Sequence, residues 1–272
     1  MGRAKIAGRA TTTASRILFD DFDYPSKELA THGWYVRSRK GGPGALDAGW
    51  SPSGVSIVAD PAQRANRLLR LEAATDGTVA GTLQAEVGRS ERRFREGTYA
   101  ARIRFSDAPL QGPRGDRVVQ TFFAIGPPLA RPLDPAYSEL DFEYLPNGGW
   151  GATAATMFMT SWDTYQEDPV VEKMTHTFHA GSLAGWHTLV IQVGGGEVRY
   201  FIDGHRQARH GGRFYPDSLM SIVFNLWFQT GGLLPAGAPR RYQQDVDWVF
   251  QQPDAVLSPG QVLTRVAQLR AD

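Results

Sequence analysis

Short β-type runs, each closed by glycine or proline, constrain this chain more than any other feature. They are Ser56–Ala59, Leu68–Glu72, Gly97–Phe105, Val118–Ala124, Glu139–Leu145, Ala155–Trp162, His187–Val193, Glu197–Ile202, Ser221–Phe228 and Asp245–Phe250. Val, Ile, Phe, Tyr, Trp and Thr dominate them, and several alternate with period two, as strands with one buried face do. Gly194-Gly195-Gly196 and Asp203-Gly204 fit hairpin turns. Helical spacing is confined to the end of the chain, where Ser258-Pro259 precedes Val262, Leu263, Val266 and Leu269. This pattern predicts an all-β fold, a sandwich or jelly roll. The expected division is a flexible basic tail over residues 1–16, one domain over 17–252 and a C-terminal extension with a short helix over 253–272.

Composition removes several classes. Twenty-nine Lys and Arg face 28 Asp and Glu, so no basic excess marks a nucleic-acid binder. No run approaches the roughly 20 apolar residues that span a bilayer. With no cysteine, thiolate metal sites, disulfides and cysteine nucleophiles are excluded. Residues 1–16 lack the apolar run of roughly 7–15 residues of a secretory signal. The expected location is cytoplasmic, or secreted if a leader has been trimmed.

Ser138-Glu139-Leu140-Asp141-Phe142-Glu143-Tyr144 carries the chemistry. On a strand Glu139, Asp141 and Glu143 share one face, and Leu140, Phe142 and Tyr144 the other. Like charges in line raise one another's pKa, which stability alone would not select. Two carboxyl groups, one ionised and one protonated, are what a retaining glycosidase requires. An exposed strand face carrying alternating acids is the competing reading.

The segment Glu139-Leu-Asp141-Phe-Glu143 resembles the Glu-x-Asp-x-Glu signature of glycoside hydrolase family 16, the laminarinase, lichenase and xyloglucan transglycosylase group. Ile17–Phe22 resembles that family's opening strand, and Phe94–Ile103 a later one. Gly185-Trp186-His187-Thr188 with Val198–Gly204 resembles its hairpin, Asn225-Leu226-Trp227 a cleft segment, and Val246–Val249 the closing strand. The resemblance covers roughly residues 17–252 and implies a concanavalin A-like β-jelly roll of two antiparallel sheets. It also implies Glu139 as nucleophile, Glu143 as acid/base and Asp141 as helper, with no cofactor required. Trp227 becomes a sugar-stacking platform or ordinary core, and Asn225 a hydroxyl-bonding partner. Relatives often bind a structural calcium, for which Asp21 and Asp247 are weak candidate ligands.

One departure keeps other readings open. The strand after the triplet offers Thr156, Phe158, Thr160 and Trp162 on one face and Ala155, Met157, Met159 and Ser161 on the other, neither with the amides and charges that a glycan chain usually demands; Phe122, Phe123, Leu226 and Phe228 are expected to add apolar surface. Such walls suit an apolar small molecule better than a polyol, whose unpaired hydroxyls cost about 1–3 kcal/mol each. The expected function is hydrolysis of a β-linked glucan or related polysaccharide. A redeployed small-molecule enzyme (cyclisation, elimination or rearrangement) and a non-catalytic glycan binder are the alternatives. His176 and His179 are expected in a surface loop, His205 and His210 in a solvated one. Neither nucleic acid nor membrane is an expected partner.

Overall fold

Residues 17–45 and 48–271 are described by the computed structural model; the expected tail at 1–16 lies outside the described residues. The strands are β1 (Leu18–Asp20), β2 (Trp34–Val36), β3 (Gly49–Trp50), β4 (Val55–Ala59), β5 (Arg67–Thr75), β6 (Leu83–Arg89), β7 (Gly97–Phe105) and β8 (Val118–Ile125). They continue as β9 (Glu139–Leu145), β10 (Thr156–Glu167), β11 (Val170–Ala180), β12 (Gly185–Gly194), β13 (Glu197–Ile202), β14 (His205–Gly211), β15 (Ser221–Phe228) and β16 (Arg240–Pro253). One helix, α1 (Pro259–Leu269), follows.

These strands form a two-sheet jelly roll, as expected. One sheet runs β4-β5-β16-β7-β12-β13-β14, and the other β11-β10-β9-β8-β15-β6 with β2 beyond β6. A single pair, Ala74 with Leu83, joins β5 to β6 and makes the hydrogen bonding continuous between them. Pairing is antiparallel save for β3 with β6. Period-two alternation sorts the side chains: Leu140, Phe142 and Tyr144 of β9 are fully buried between the sheets with Tyr99, Ile103, Phe224 and Val249. Gly195 and Gly196 take φ of 64° and 75° in the β12–β13 turn, the left-handed pair that a tight hairpin requires.

The C-terminal helix forms where Ser258 caps it. Ser258 accepts from the Gln261 backbone N–H while the Gln261 side chain accepts from that of Ser258. Its apolar stripe, Val262 and Val266, covers Ala100, Val190, Trp248 and Phe250 on the outer face of the first sheet. No helix among the described residues is long and apolar enough to cross a membrane.

β2, β3, β6, β11 and β14 escaped the sequence pattern, and two loop expectations fall with the last two. His176 and His179 lie on β11, while His205 and His210 lie on β14. His210 is buried, its Nδ1 2.9 Å from Ser161 Oγ. β11 and β14 carry polar residues on both faces, so alternation of apolar with polar is weak in them.

Candidate active site

The second sheet presents Glu139, Asp141 and Glu143 from β9 on its outer face. Register fixes their neighbours: on β10 Trp162 pairs with Glu139, Thr160 with Asp141 and Phe158 with Glu143. On β8 the corresponding partners are Ile125, Phe123 and Thr121. Asp141 is buried, while Glu139 and Glu143 keep part of their surface exposed. Three carboxyl groups therefore line the middle of the sheet, a buried aspartate between two partly exposed glutamates.

That setting controls protonation. Burial pushes Glu143 up to about 8, with the Glu139 charge adding to it. Burial likewise raises Glu139 to about 7, but hydrogen bonds from Tyr137 and Asp141 hold it lower than it would otherwise be. Asp141 stands well above the usual carboxylate range, through burial first and the charges of Glu139 and Glu143 second. Its Oδ2 is buried with no hydrogen-bond partner, so an ionised Asp141 would leave that oxygen unpaired. Glu139 is thus the more acidic of the two glutamates, the separation that acid/base chemistry near neutrality uses.

Tyr137 was not singled out by the sequence, yet its hydroxyl donates to Glu139 Oε2. Its place two residues before Glu139 gives it the same side-chain parity, which is the signal available in the chain. Tyr165 packs edge-on against Tyr137 at 5.1 Å and against Trp162 at 6.0 Å, so three aromatic rings surround Glu139.

The other candidates divide. Phe123 and Phe158 face the site but are 8% and 7% exposed, and Trp162 is partly exposed. Asn225 is buried opposite Glu86, and its Oδ1 accepts from the Thr121 hydroxyl at 2.6 Å. Trp227 is also 7% exposed, packed with Trp50, Val119, Leu145 and Phe158 in a cluster on this face. Phe122, Leu226 and Phe228 do not contribute apolar surface here. All three point into the core between the sheets and are fully buried, being on the opposite parity from Phe123 and Trp227.

A charged wall that sequence reading missed lies beyond β15. Glu86 of β6 pairs with Arg37 at 2.9 Å, and both side chains are nearly buried. Tyr35 donates to Glu86 at 3.3 Å, and the Arg37 guanidinium lies over Trp50 at 4.1 Å. The apolar character expected of the whole site is therefore broken on the β6 side, where Trp50 and Trp227 lie beside charged and polar groups.

Asp21 and Asp247 do not fit a calcium ion as they are arranged. Asp247 accepts from Arg102 Nη1 at 2.7 Å, Arg270 Nη2 at 2.7 Å and Asn66 Nδ2 at 2.9 Å. The Arg270 guanidinium also lies 3.5 Å from Asp21. Guanidinium groups take the coordination that a hard cation would need from these oxygens.

No family model matches the chain, and no curated protein matches it. Solved structures do. Bacillus licheniformis β-glucanase superposes with a TM-score of 0.62 at 15% identity, over 87% of this chain and 97% of that one. The Bacteroides ovatus mixed linkage glucan PUL GH16, in complex with a G4G4G3G product, gives 0.64 at 16% identity, over 86% and 99%. A LamA variant from Z. galactanivorans, in complex with laminaritriose and laminaritetraose, gives 0.60 at 12% identity, over 86% and 98%. The fold is thus that of the glycoside hydrolase family 16 jelly roll.

Proposed function

We propose that this chain is a retaining glycoside hydrolase acting on a β-linked glucan or related saccharide. The observation that carries the reading is the row of three carboxyl groups on one face of β9, with Glu139 more acidic than Glu143 in their shared setting. Similarity of fold to β-glucanases supports it and points to glucans, while identity that low leaves the chemistry to be argued from the site itself.

In the first half-reaction Glu139 attacks the anomeric carbon as Glu143 gives its proton to the departing glycosidic oxygen. The C–O bond to the leaving group breaks and a glycosyl ester forms on Glu139. Esterification removes the charge of Glu139, so Glu143 now holds a proton less tightly and, ionised, serves as base. Water gives its proton to Glu143 and attacks the anomeric carbon; the ester bond breaks, returning Glu139 to carboxylate and Glu143 to acid. Asp141 donates to Glu139 when it is ionised, limiting repulsion along the row. Trp162 and Phe158 flank the reacting atoms, and Asn225 and Glu86 offer hydrogen bonds to sugar hydroxyls.

The test is release of reducing ends from barley mixed-linkage glucan, laminarin, xyloglucan, agarose and galactan, with an aryl β-cellobioside alongside. Activity on at least one substrate, lost in Glu139→Gln, is the expected result. Folded protein that cleaves none of them, or activity retained by Glu139→Gln, would sink the proposal.

A further inference from the structure

Beside Glu143 two large aromatic side chains stand in solvent, and they bear on what the site binds. Phe158 of β10 lies directly across from Glu143, and Phe178 of β11 directly across from Phe158, so the three share a row and a face. Phe178 is 61% exposed, and Trp150, in the loop between β9 and β10, is 47% exposed. Both rings close on Phe158, with centroids 6.1 Å and 5.6 Å away.

Trp150 reaches that position through an unusual backbone. Its φ is 50°, between Gly149 at 134° and Gly151 at 89°. A bulky residue in the left-handed region is strained, and strain of this kind gathers at functional sites. A solvent-facing aromatic cluster held this way next to reacting groups is the mark of a binding surface.

The two sides of Glu143 differ in chemistry. Toward β6 the row continues through the polar side chains Thr121, Asn225 and Glu86, the first two bonded to one another and the last to Arg37. Toward β11 the row itself is aromatic, Phe158 and then Phe178. The Thr156 hydroxyl is spent on the Ala154 carbonyl at 3.0 Å, and the His176 ring packs edge-on against Phe158 at 5.5 Å. A sugar ring laid there would leave hydroxyls unpaired, whereas an aromatic ring would lose only water.

We infer that Trp150, Phe158 and Phe178 form an aglycone site, and that the substrates are β-glycosides with an apolar aromatic leaving group. This rests on the hydrolase reading above. The saccharide lies toward Glu86, the aromatic ring on the ledge, and the oxygen between them receives the proton of Glu143 as its bond to the anomeric carbon breaks and Glu139 bonds to that carbon.

Binding of phenyl 1-thio-β-cellobioside and methyl 1-thio-β-cellobioside to the full chain, followed by calorimetry, tests the ledge without turnover. The phenyl glycoside is expected to bind about tenfold more tightly, the scale of one good aromatic contact. Phe178→Ser and Trp150→Ser should each bring the phenyl affinity down toward the methyl value and leave the latter unchanged. Both side chains are exposed, and an unchanged melting temperature will show that the variants fold. Equal affinities in the wild type, or variants that weaken both ligands alike, overturn the inference. So does a change of oligomeric state in Phe178→Ser with binding intact, which would assign the ledge to a second copy of the chain. Preference for the phenyl ligand in a protein that hydrolyses no glycoside would sink the hydrolase reading and leave the ledge standing. Hydrolysis without that preference would do the reverse.

Discussion

The Tyr137 hydroxyl donates to Glu139 Oε2, from a position two residues earlier in the chain and on the same face. Tyr137 is itself buried, with its ring fixed against Tyr165, so the bond is preorganised. A donor to the charged form lowers a carboxyl pKa, and this one opposes the burial that raises Glu139. Tyr137→Phe should therefore raise the pKa of Glu139. Since the reaction needs Glu139 ionised, the acid limb of the kcat/KM profile should move up by about one pH unit, the worth of a hydrogen bond to a charge. The basic limb, set by Glu143, should stay. An unchanged profile in an active variant would contradict the role.

Glu86 should act with the opposite sign. Its charge raises the Glu139 pKa. Glu86→Gln removes that repulsion, so the acid limb should move down in pH, and the paired variants should displace the profile in opposite directions. Movement of both limbs together would point to a general disturbance instead.

How much of this was legible in the chain depends on parity. Leu140, Phe142 and Tyr144 are apolar and fully buried, so the alternating acids of β9 stood out and their shared face could be read directly. The β6 strand does alternate, Leu83, Ala85 and Val87 against Gln84, Glu86 and Gly88, but Ala, Gln, Glu and Gly are weak strand formers, so the run did not stand out. Tyr137 ends a proline-rich segment that reads as a loop, and only the register of β9 shows that it reaches Glu139. The weakness of β11 as a signal has another cause: it is an edge strand, mostly solvated, and edge strands carry polar residues on both faces.

Raised carboxyl pKa values also fix a pH dependence of stability. Glu143 rises from 4.5 to about 8 on folding. Below pH 4.5 both folded and unfolded states hold the proton, and nothing is lost. Between the two values the unfolded state releases it while the folded state keeps it, so stability falls as pH rises through that window. Glu143→Gln removes the titration. Its melting temperature should exceed the wild-type value increasingly between pH 5 and pH 8; a constant gap over that range would show that the group does not titrate this way.

A buried ion pair elsewhere should be far less tolerant. Asp116 and Arg240 are both almost fully buried, with Nε to Oδ2 at 2.8 Å and Nη2 to Oδ1 at 3.0 Å. Tyr242 and the Leu234 backbone N–H also donate to Asp116, at 3.1 Å and 2.8 Å. Arg240→Met leaves that carboxylate buried without its cation, and should cost about 3–5 kcal/mol in urea denaturation. Restoring most of the loss by adding Asp116→Leu would show that the unpaired charge, and not lost packing, was responsible.

Arg270 supplies the cation at the junction of the terminal strands and α1. It lies just past the end of the helix and bonds both the Asp247 carboxylate and the Asp247 carbonyl. Burial raises the Asp247 pKa, but Arg270, Arg102 and Asn66 outweigh it and hold the carboxyl below its ordinary value. This contribution is present above the unfolded value of 3.8 and is lost as pH falls toward the depressed folded value. Arg270→Ala should lower the melting temperature at pH 7, by an amount that shrinks toward pH 3. With the guanidinium in place, chelator should leave the wild-type melting temperature unchanged. A wild-type protein that EDTA destabilises and calcium restores would show instead that a metal ion, and not Arg270, neutralises these carboxylates.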